Sequence, residues 1–146
     1  MPSMVPIFPQ VSSGSTARDY LSLARQYHSA ALGLPNYVNG QINWPALTLI
    51  FHASELVLKA YCKQRAPSVN LPRHSLTRLY EIASQHGLVL PGDITAALAV
   101  LEDMHGQHWP RYPDNRSGPI RDVFPLANDL FETLIRAVSA AFQGTP

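Results

Sequence analysis

The feature that most constrains this fold is a long apolar run, residues 44–62, interrupted by only a few polar side chains. Its apolar positions continue round all sides of a helix, a pattern typical of a helix that packs against several neighbours. A membrane span over the same residues would place His52, Glu55 and Lys59 in lipid, which is energetically costly. We therefore predict a buried central helix with Asn43 as its N-cap.

Four other segments carry apolar residues at intervals of three and four, which predicts amphipathic helices. The first begins at Ser15 or Thr16, whose hydroxyl can cap it, and its stripe runs to Leu34. The stripe of the third helix is Leu76, Leu79, Tyr80 and Ala83. The stripe of the fourth is Ile94, Ala97, Leu98, Leu101 and Met104. The stripe of the fifth is Ala127, Leu130, Phe131, Leu134, Val138 and Phe142. Gly87 is a natural terminator for the third helix, and Asp93 is predicted to cap the fourth.

No alternating apolar and polar segment is long enough to predict a strand, and residues 36–42 are predicted to form a loop. We therefore expect an all-α, antiparallel bundle of about five helices. We expect residues 1–14 to form an irregular N-terminal arm and residues 15–143 to form a single domain, in keeping with a chain of 146 residues.

Charge and cysteine content limit the class of protein. A net charge of +1 lacks the basic excess of proteins that hold nucleic acid chiefly through its phosphates, so any such contact must be local. The single cysteine, Cys62, lies among apolar positions and is expected to be a buried, inert thiol in a cytoplasmic protein. The first residues lack the basic start and apolar core of a signal peptide.

His52, Glu55 and Lys59 form a polar stripe on the central helix, because they are three and four residues apart. Glu55 precedes Lys59 by four residues, the favourable order for a helix ion pair. One interpretation is a partly exposed stripe with a weak pair. The other interpretation places the stripe in the wall of a cleft or of a subunit interface, because a charge buried on so apolar a helix is costly unless it is paired.

Two further groups of residues are candidates for binding or catalysis. Arg73 and His74 precede the third helix, where His74 can anchor the loop or exchange protons while Arg73 binds phosphate. Arg111 and Tyr112 lie in a proline-rich loop that can stack a base and fork a phosphate, or fasten the loop to the bundle. His108 precedes this pair by three residues.

Common catalytic and cofactor signatures are absent from the sequence. It contains no glycine-rich phosphate loop, nucleophile elbow or His-Glu-x-x-His motif. His105 and His108 have a spacing that could hold a metal, but Gly106 breaks the turn and no third ligand is near. We therefore predict neither a metal site nor a cofactor.

The order of these motifs resembles the HEPN family of small helical domains. The resemblance covers roughly residues 17–142 and is carried by Glu55 with Lys59-Ala60, by His74-x-Leu76-x-x-Leu79, and by Arg111-Tyr112-Pro113-Asp114. It implies a homodimeric helical module that binds a nucleotide, RNA or a partner protein. It also implies pairing with a nucleotidyltransferase in a toxin–antitoxin or defence system.

Some members of the family are metal-independent ribonucleases that use an arginine followed four to six residues later by histidine. This chain lacks that pair. No histidine follows Arg111 or the later arginines, and the earlier Arg18 and Arg78 lie too far before the next histidine. The expected function is therefore binding, with Lys59, Arg73, His74, Arg111 and Tyr112 as ligand residues. One alternative is a ribonuclease with a rearranged site, in which His74 or His108 carries the proton and Arg111 or Arg73 stabilises charge. Another is a helical interaction subunit that binds no nucleotide.

Overall fold

The structure is a computed structural model that describes residues 16–106 and 123–143. The described chain forms an all-α bundle with one small hairpin, which confirms the predicted fold class. Its elements, in chain order, are α1 (Ala17–Leu32), β1 (Tyr37–Val38), β2 (Gln41–Ile42), α2 (Trp44–Arg65), α3 (Leu76–Gln85), α4 (Gly92–Gly106) and α5 (Phe124–Gln143).

Helix α2 is the centre of the bundle, as its sequence predicted. It packs against α1, α3 and α5, while α4 packs against α3 and α5. Leu58 and Val57, on different sides of α2, are both fully buried. Burial of apolar surface on several faces of one helix gives the largest favourable contribution to folding, about 25 cal/mol for each Å² removed from water.

The helix termini follow from local hydrogen bonding. Thr16 forms a reciprocal capping box with Asp19 at the start of α1, as one of the two predicted caps. At the end of α3, Gly87 adopts a φ of +104°, and the next residue, Leu88, donates its N–H to Ala83 O at 3.0 Å. This left-handed glycine is the predicted terminator, because a side chain would be strained there.

Two details of the predicted helix boundaries, at Leu34 and at Asp93, were wrong. Leu34 lies beyond the end of α1 and is 39% exposed, so it does not extend the buried stripe. Asn43 is the N-cap residue of α2, as predicted, but its side chain makes no capping bond and instead donates from Nδ2 to Pro35 O at 2.8 Å. Asp93 lies inside the first turn of α4, where its charge still favours the positive end of the helix dipole.

The predicted loop at residues 36–42 contains a short antiparallel hairpin. Tyr37 pairs with Ile42, and Val38 pairs with Gln41. The turn residues Asn39 and Gly40 have φ values of +52° and +75°, which both favour the tight turn that Asn-Gly makes between strands. The sequence did not predict these two strands, because a strand of two residues is too short to show an alternating pattern.

The single cysteine behaves as predicted. Cys62 is 1% exposed, and burial raises the pKa of its thiol to about 11. Because the thiolate is the reactive form, this thiol is inert near neutral pH.

Candidate functional site

Glu55 is a buried carboxylate at the centre of a polar cluster on α2. Its side chain is only 1% exposed, and Lys59 Nζ donates to Oε2 at 2.7 Å from the next turn of the helix. The other oxygen, Oε1, lies 3.2 Å from Nδ1 of His74 and 3.8 Å from Nδ1 of His52. The second of these distances is too long for a direct hydrogen bond. We define these four residues as the Glu55 cluster.

The cluster keeps Glu55 ionised. Burial alone raises the pKa of this carboxyl, but its contacts with His52, Lys59 and His74 outweigh burial and lower the pKa from 4.5 to about 2. The ion pair between Glu55 and Lys59, which the order of the two residues in the sequence favoured, is present. The partly exposed stripe is confirmed for His52 and Lys59, which are half-buried, but it is wrong for Glu55, because this carboxylate is buried and has several partners.

His74 connects the start of α3 to this cluster. It precedes the N-cap residue Ser75 and has a φ of +59°, a left-handed conformation that is uncommon for a residue with a side chain. Its ring is 65% exposed, although Nδ1 contacts the buried carboxylate of Glu55. The contact anchors the loop between α2 and α3, which is one of the two roles that the sequence suggested.

A second carboxylate fixes the start of α3. Glu102, on α4, accepts hydrogen bonds from the Ser75 hydroxyl at 2.8 Å, from the Thr77 N–H at 3.2 Å and from the Thr77 hydroxyl. Partial burial raises the pKa of Glu102, but these bonds outweigh it and lower the pKa. The position of His74 is thus held from two sides, by Glu55 on α2 and by Glu102 on α4 through Ser75.

Next to the cluster lies an open cleft with a volume of about 320 Å³. It is formed by α1, α2 and the segment between α2 and α3, and we call it the basic cleft. Among the described residues that line it, three are cationic and none is acidic. The lining residues are Tyr20, Lys59, Lys63, Ala66, Pro67, Val69, Asn70, Leu71, Pro72 and Arg73.

The three cations of the basic cleft differ in how they are paired. The charge of Lys59 is matched by Glu55. Lys63 Nζ lies 5.2 Å from the centre of the Tyr20 ring and pairs with no carboxylate of the described chain. Arg73 is exposed and makes no hydrogen bond or salt bridge with any described residue. Lys63 and Arg73 therefore carry the uncompensated positive charge of the cleft.

The structure brings some of the predicted site residues together. Lys59 and Arg73 line the same cleft, while His52 and His74 meet at Glu55. His108, Arg111 and Tyr112 lie outside the described residues.

Sequence reasoning missed Lys63 and Tyr20 as cleft residues. Lys63 follows Lys59 by four residues, so helical spacing could have revealed it. The contribution of Tyr20 depends on how α1 packs against α2, which the sequence does not specify.

Two other buried polar groups lie away from the cleft. His28 Nε2 is 2.8 Å from Asn128 Oδ1, and its ring stacks on Phe131 at 4.1 Å, which ties α1 to α5. Ser54 Oγ has no hydrogen-bond partner in the described chain and lines an apolar cavity of about 20 Å³. A cavity of that volume holds about one water molecule and is too small for a nucleotide.

Residues 16–106 and 123–143 contain no group of three or more His, Cys, Asp or Glu side chains arranged to hold a metal ion. None of the helices in these ranges has the length and apolar character needed to cross a membrane. Comparisons with protein-family models, curated proteins and solved structures give no match.

Proposed function

We propose that this protein is a HEPN-like helical module that binds a phosphate-bearing ligand, a nucleotide or RNA, in the basic cleft. The observation that carries the proposal is the positive charge of Lys63 and Arg73, which no carboxylate of the described chain pairs with, in a cleft with no acidic side chain among its described lining residues. An arginine guanidinium can form two parallel hydrogen bonds to one phosphate, and a lysine adds a point charge.

The remaining walls of the cleft suit the other parts of a nucleotide. Pro67, Val69 and Leu71 offer apolar surface beside the cations, and Asn70 offers an amide that can both donate and accept. Its volume of about 320 Å³ is at the lower end of the range for small-ligand pockets, roughly 300–1,000 Å³. The net charge of the whole chain is only +1, so the protein has little general attraction for anions. The local concentration of positive charge in the basic cleft is therefore the feature that favours an anionic ligand.

A thermal-shift panel tests this proposal. We expect nucleoside mono- and diphosphates to raise the unfolding temperature, with about 2.7 kcal/mol of stabilisation at roughly a hundred times the dissociation constant. The matched nucleosides without phosphate are the controls, and they should give little or no shift. A panel that is flat for every phosphate-bearing ligand, including short RNA, would support the interaction subunit that binds no nucleotide.

The contact between Glu55 and His74 favours a second candidate function, a metal-independent ribonuclease. An ionised carboxylate can only accept hydrogen bonds, so the neutral His74 ring carries its hydrogen on Nδ1 and its lone pair on Nε2. Such an imidazole can take the proton of a ribose 2′-hydroxyl, and Arg73 can stabilise the charge on the attacked phosphate.

Incubation of labelled RNA with the purified protein in the presence of a chelator tests this second function. Cleavage should be lost in His74→Ala and retained in His86→Ala, since His86 is an exposed histidine at the other end of α3. Absence of cleavage above a protein-free blank would rule out the ribonuclease and leave the binding function.

A further inference from the structure

His74 differs from His28, His52 and His86 in combining an exposed ring with a fixed Nδ1. The ring is 65% exposed, and Nδ1 lies 3.2 Å from the buried Glu55 carboxylate. By contrast, His28 is buried against Asn128, and the half-buried His52 packs edge-on against Tyr27. His86 is exposed, but its ring has no hydrogen-bond partner in the described chain.

The hydrogen bond to Glu55 selects one tautomer of His74. Because the carboxylate accepts and cannot donate, the neutral ring must carry its hydrogen on Nδ1. The lone pair is then on Nε2, the ring nitrogen that has no partner among the described residues. An imidazole held in this way by a carboxylate is a better nucleophile, because the carboxylate stabilises the positive charge that the ring gains when Nε2 reacts.

We propose that Nε2 of His74 is a modification site that accepts a phosphoryl group from a donor with a good leaving group, of the phosphoramidate or acyl-phosphate class. With phosphoramidate, whose nitrogen is already protonated, the Nε2 lone pair forms the new N–P bond, the P–N bond of the donor breaks, and ammonia leaves. With an acyl phosphate, the P–O bond of the donor breaks and a carboxylate leaves. The hydrogen stays on Nδ1 and remains hydrogen-bonded to Glu55, whose negative charge balances the phosphorylated imidazolium.

The charged groups around His74 determine which side chain can pair with the oxygens of the transferred phosphoryl group. Glu102 occupies the start of α3 with its carboxylate, so the helix terminus is not available to an anion. Lys59 is bonded to Glu55. Arg73, next to His74 in the chain, is exposed and has no partner in the described part of the chain, so its guanidinium can pair with the phosphoryl oxygens.

The test is to treat the folded full-length chain with potassium phosphoramidate and to map phosphohistidine by peptide mass spectrometry under alkaline conditions. We expect His74 to be phosphorylated roughly tenfold faster than the exposed His86, because His74 has a carboxylate partner and His86 has none among the described residues. The His74→Gln variant should lose this modification, and Arg73→Gln should slow it while leaving the fold and the rate at His86 unchanged.

The Glu55→Gln variant tests whether the carboxylate, and not exposure of the ring alone, makes His74 react faster than His86. In a variant shown to be folded by circular dichroism, phosphorylation of His74 should fall to the rate of His86. Equal rates at the two histidines in the native protein, or an unchanged rate in folded Glu55→Gln, would overturn the inference. The experiment needs no nucleotide, so failure of ligand binding in the basic cleft and failure of phosphorylation at His74 are separate results.

Discussion

Replacing Glu55 with alanine is expected to lower the free energy of unfolding by about 3 kcal/mol at neutral pH, because this buried carboxylate pairs with Lys59 and joins α2 to the segment before α3. The substitution removes the partner of Lys59 and the anchor of His74, and it leaves a space beside fully buried neighbours on α2. Urea unfolding followed by circular dichroism measures the change. Glu81→Ala, at an exposed acidic residue on α3, is the control and should change stability little.

The stabilisation from Glu55 should also depend on pH. The folded-state pKa of about 2 is below the ordinary value of 4.5, so the unfolded chain binds the proton more readily than the folded one. The contribution is therefore complete above about pH 4.5 and is lost as the pH falls towards 2. Glu55→Gln, which keeps the shape but cannot ionise, should be less stable than the native protein at neutral pH, and this difference should shrink through the same interval.

A Glu55→Gln variant as stable as the native protein at neutral pH would contradict this description of the cluster. A stability difference that stayed constant down to pH 2 would also contradict it, because the loss would then not come from the ionised carboxylate. Both measurements use the same unfolding curves, with the native protein measured at each pH.

Reversing the two uncompensated charges of the basic cleft, in Lys63→Glu/Arg73→Glu, is expected to weaken nucleotide binding by roughly a hundredfold. This hundredfold loss of affinity allows for solvent screening, since the side chains of Lys63 and Arg73 lie at an open cleft. The stability of the fold should change little, because Arg73 has no partner in the described chain and Lys63 contributes only its contact with Tyr20. Isothermal titration calorimetry at low salt measures the affinity.

The matched control is Arg78→Glu/Arg136→Glu, which changes the net charge by the same amount at exposed positions outside the cleft. This variant should bind only slightly more weakly, through the general field of the protein. Equal losses in the two double variants would show that binding follows total charge and not the cleft.

The sequence was sufficient to predict the bundle because helical periodicity is repeated over long segments. Residues 44–62 identified the central helix, and Gly87 identified the end of α3. Short elements carry less information, so the hairpin around Asn39 and Gly40 was missed although Asn-Gly is a known turn signal.

The candidate site was only partly predictable for a related reason. The spacing of Glu55 and Lys59 showed that they share a helix face, but it did not show that Glu55 is buried. The contact between Glu55 and His74 joins residues 19 positions apart through a left-handed backbone conformation, so it depends on tertiary packing. Arg73 was identified by its residue type, whereas its place beside Lys63 required the folded chain.

The most direct test of the basic cleft as the ligand site is an NMR titration of the ¹⁵N-labelled protein with ADP. Binding in the cleft predicts that the largest chemical-shift changes occur at Lys63, at residues 66–73 and at Tyr20, and that they saturate with a single dissociation constant. Changes confined to another face, such as the exposed surface around Arg25 on α1, or no changes at millimolar ADP, would contradict it.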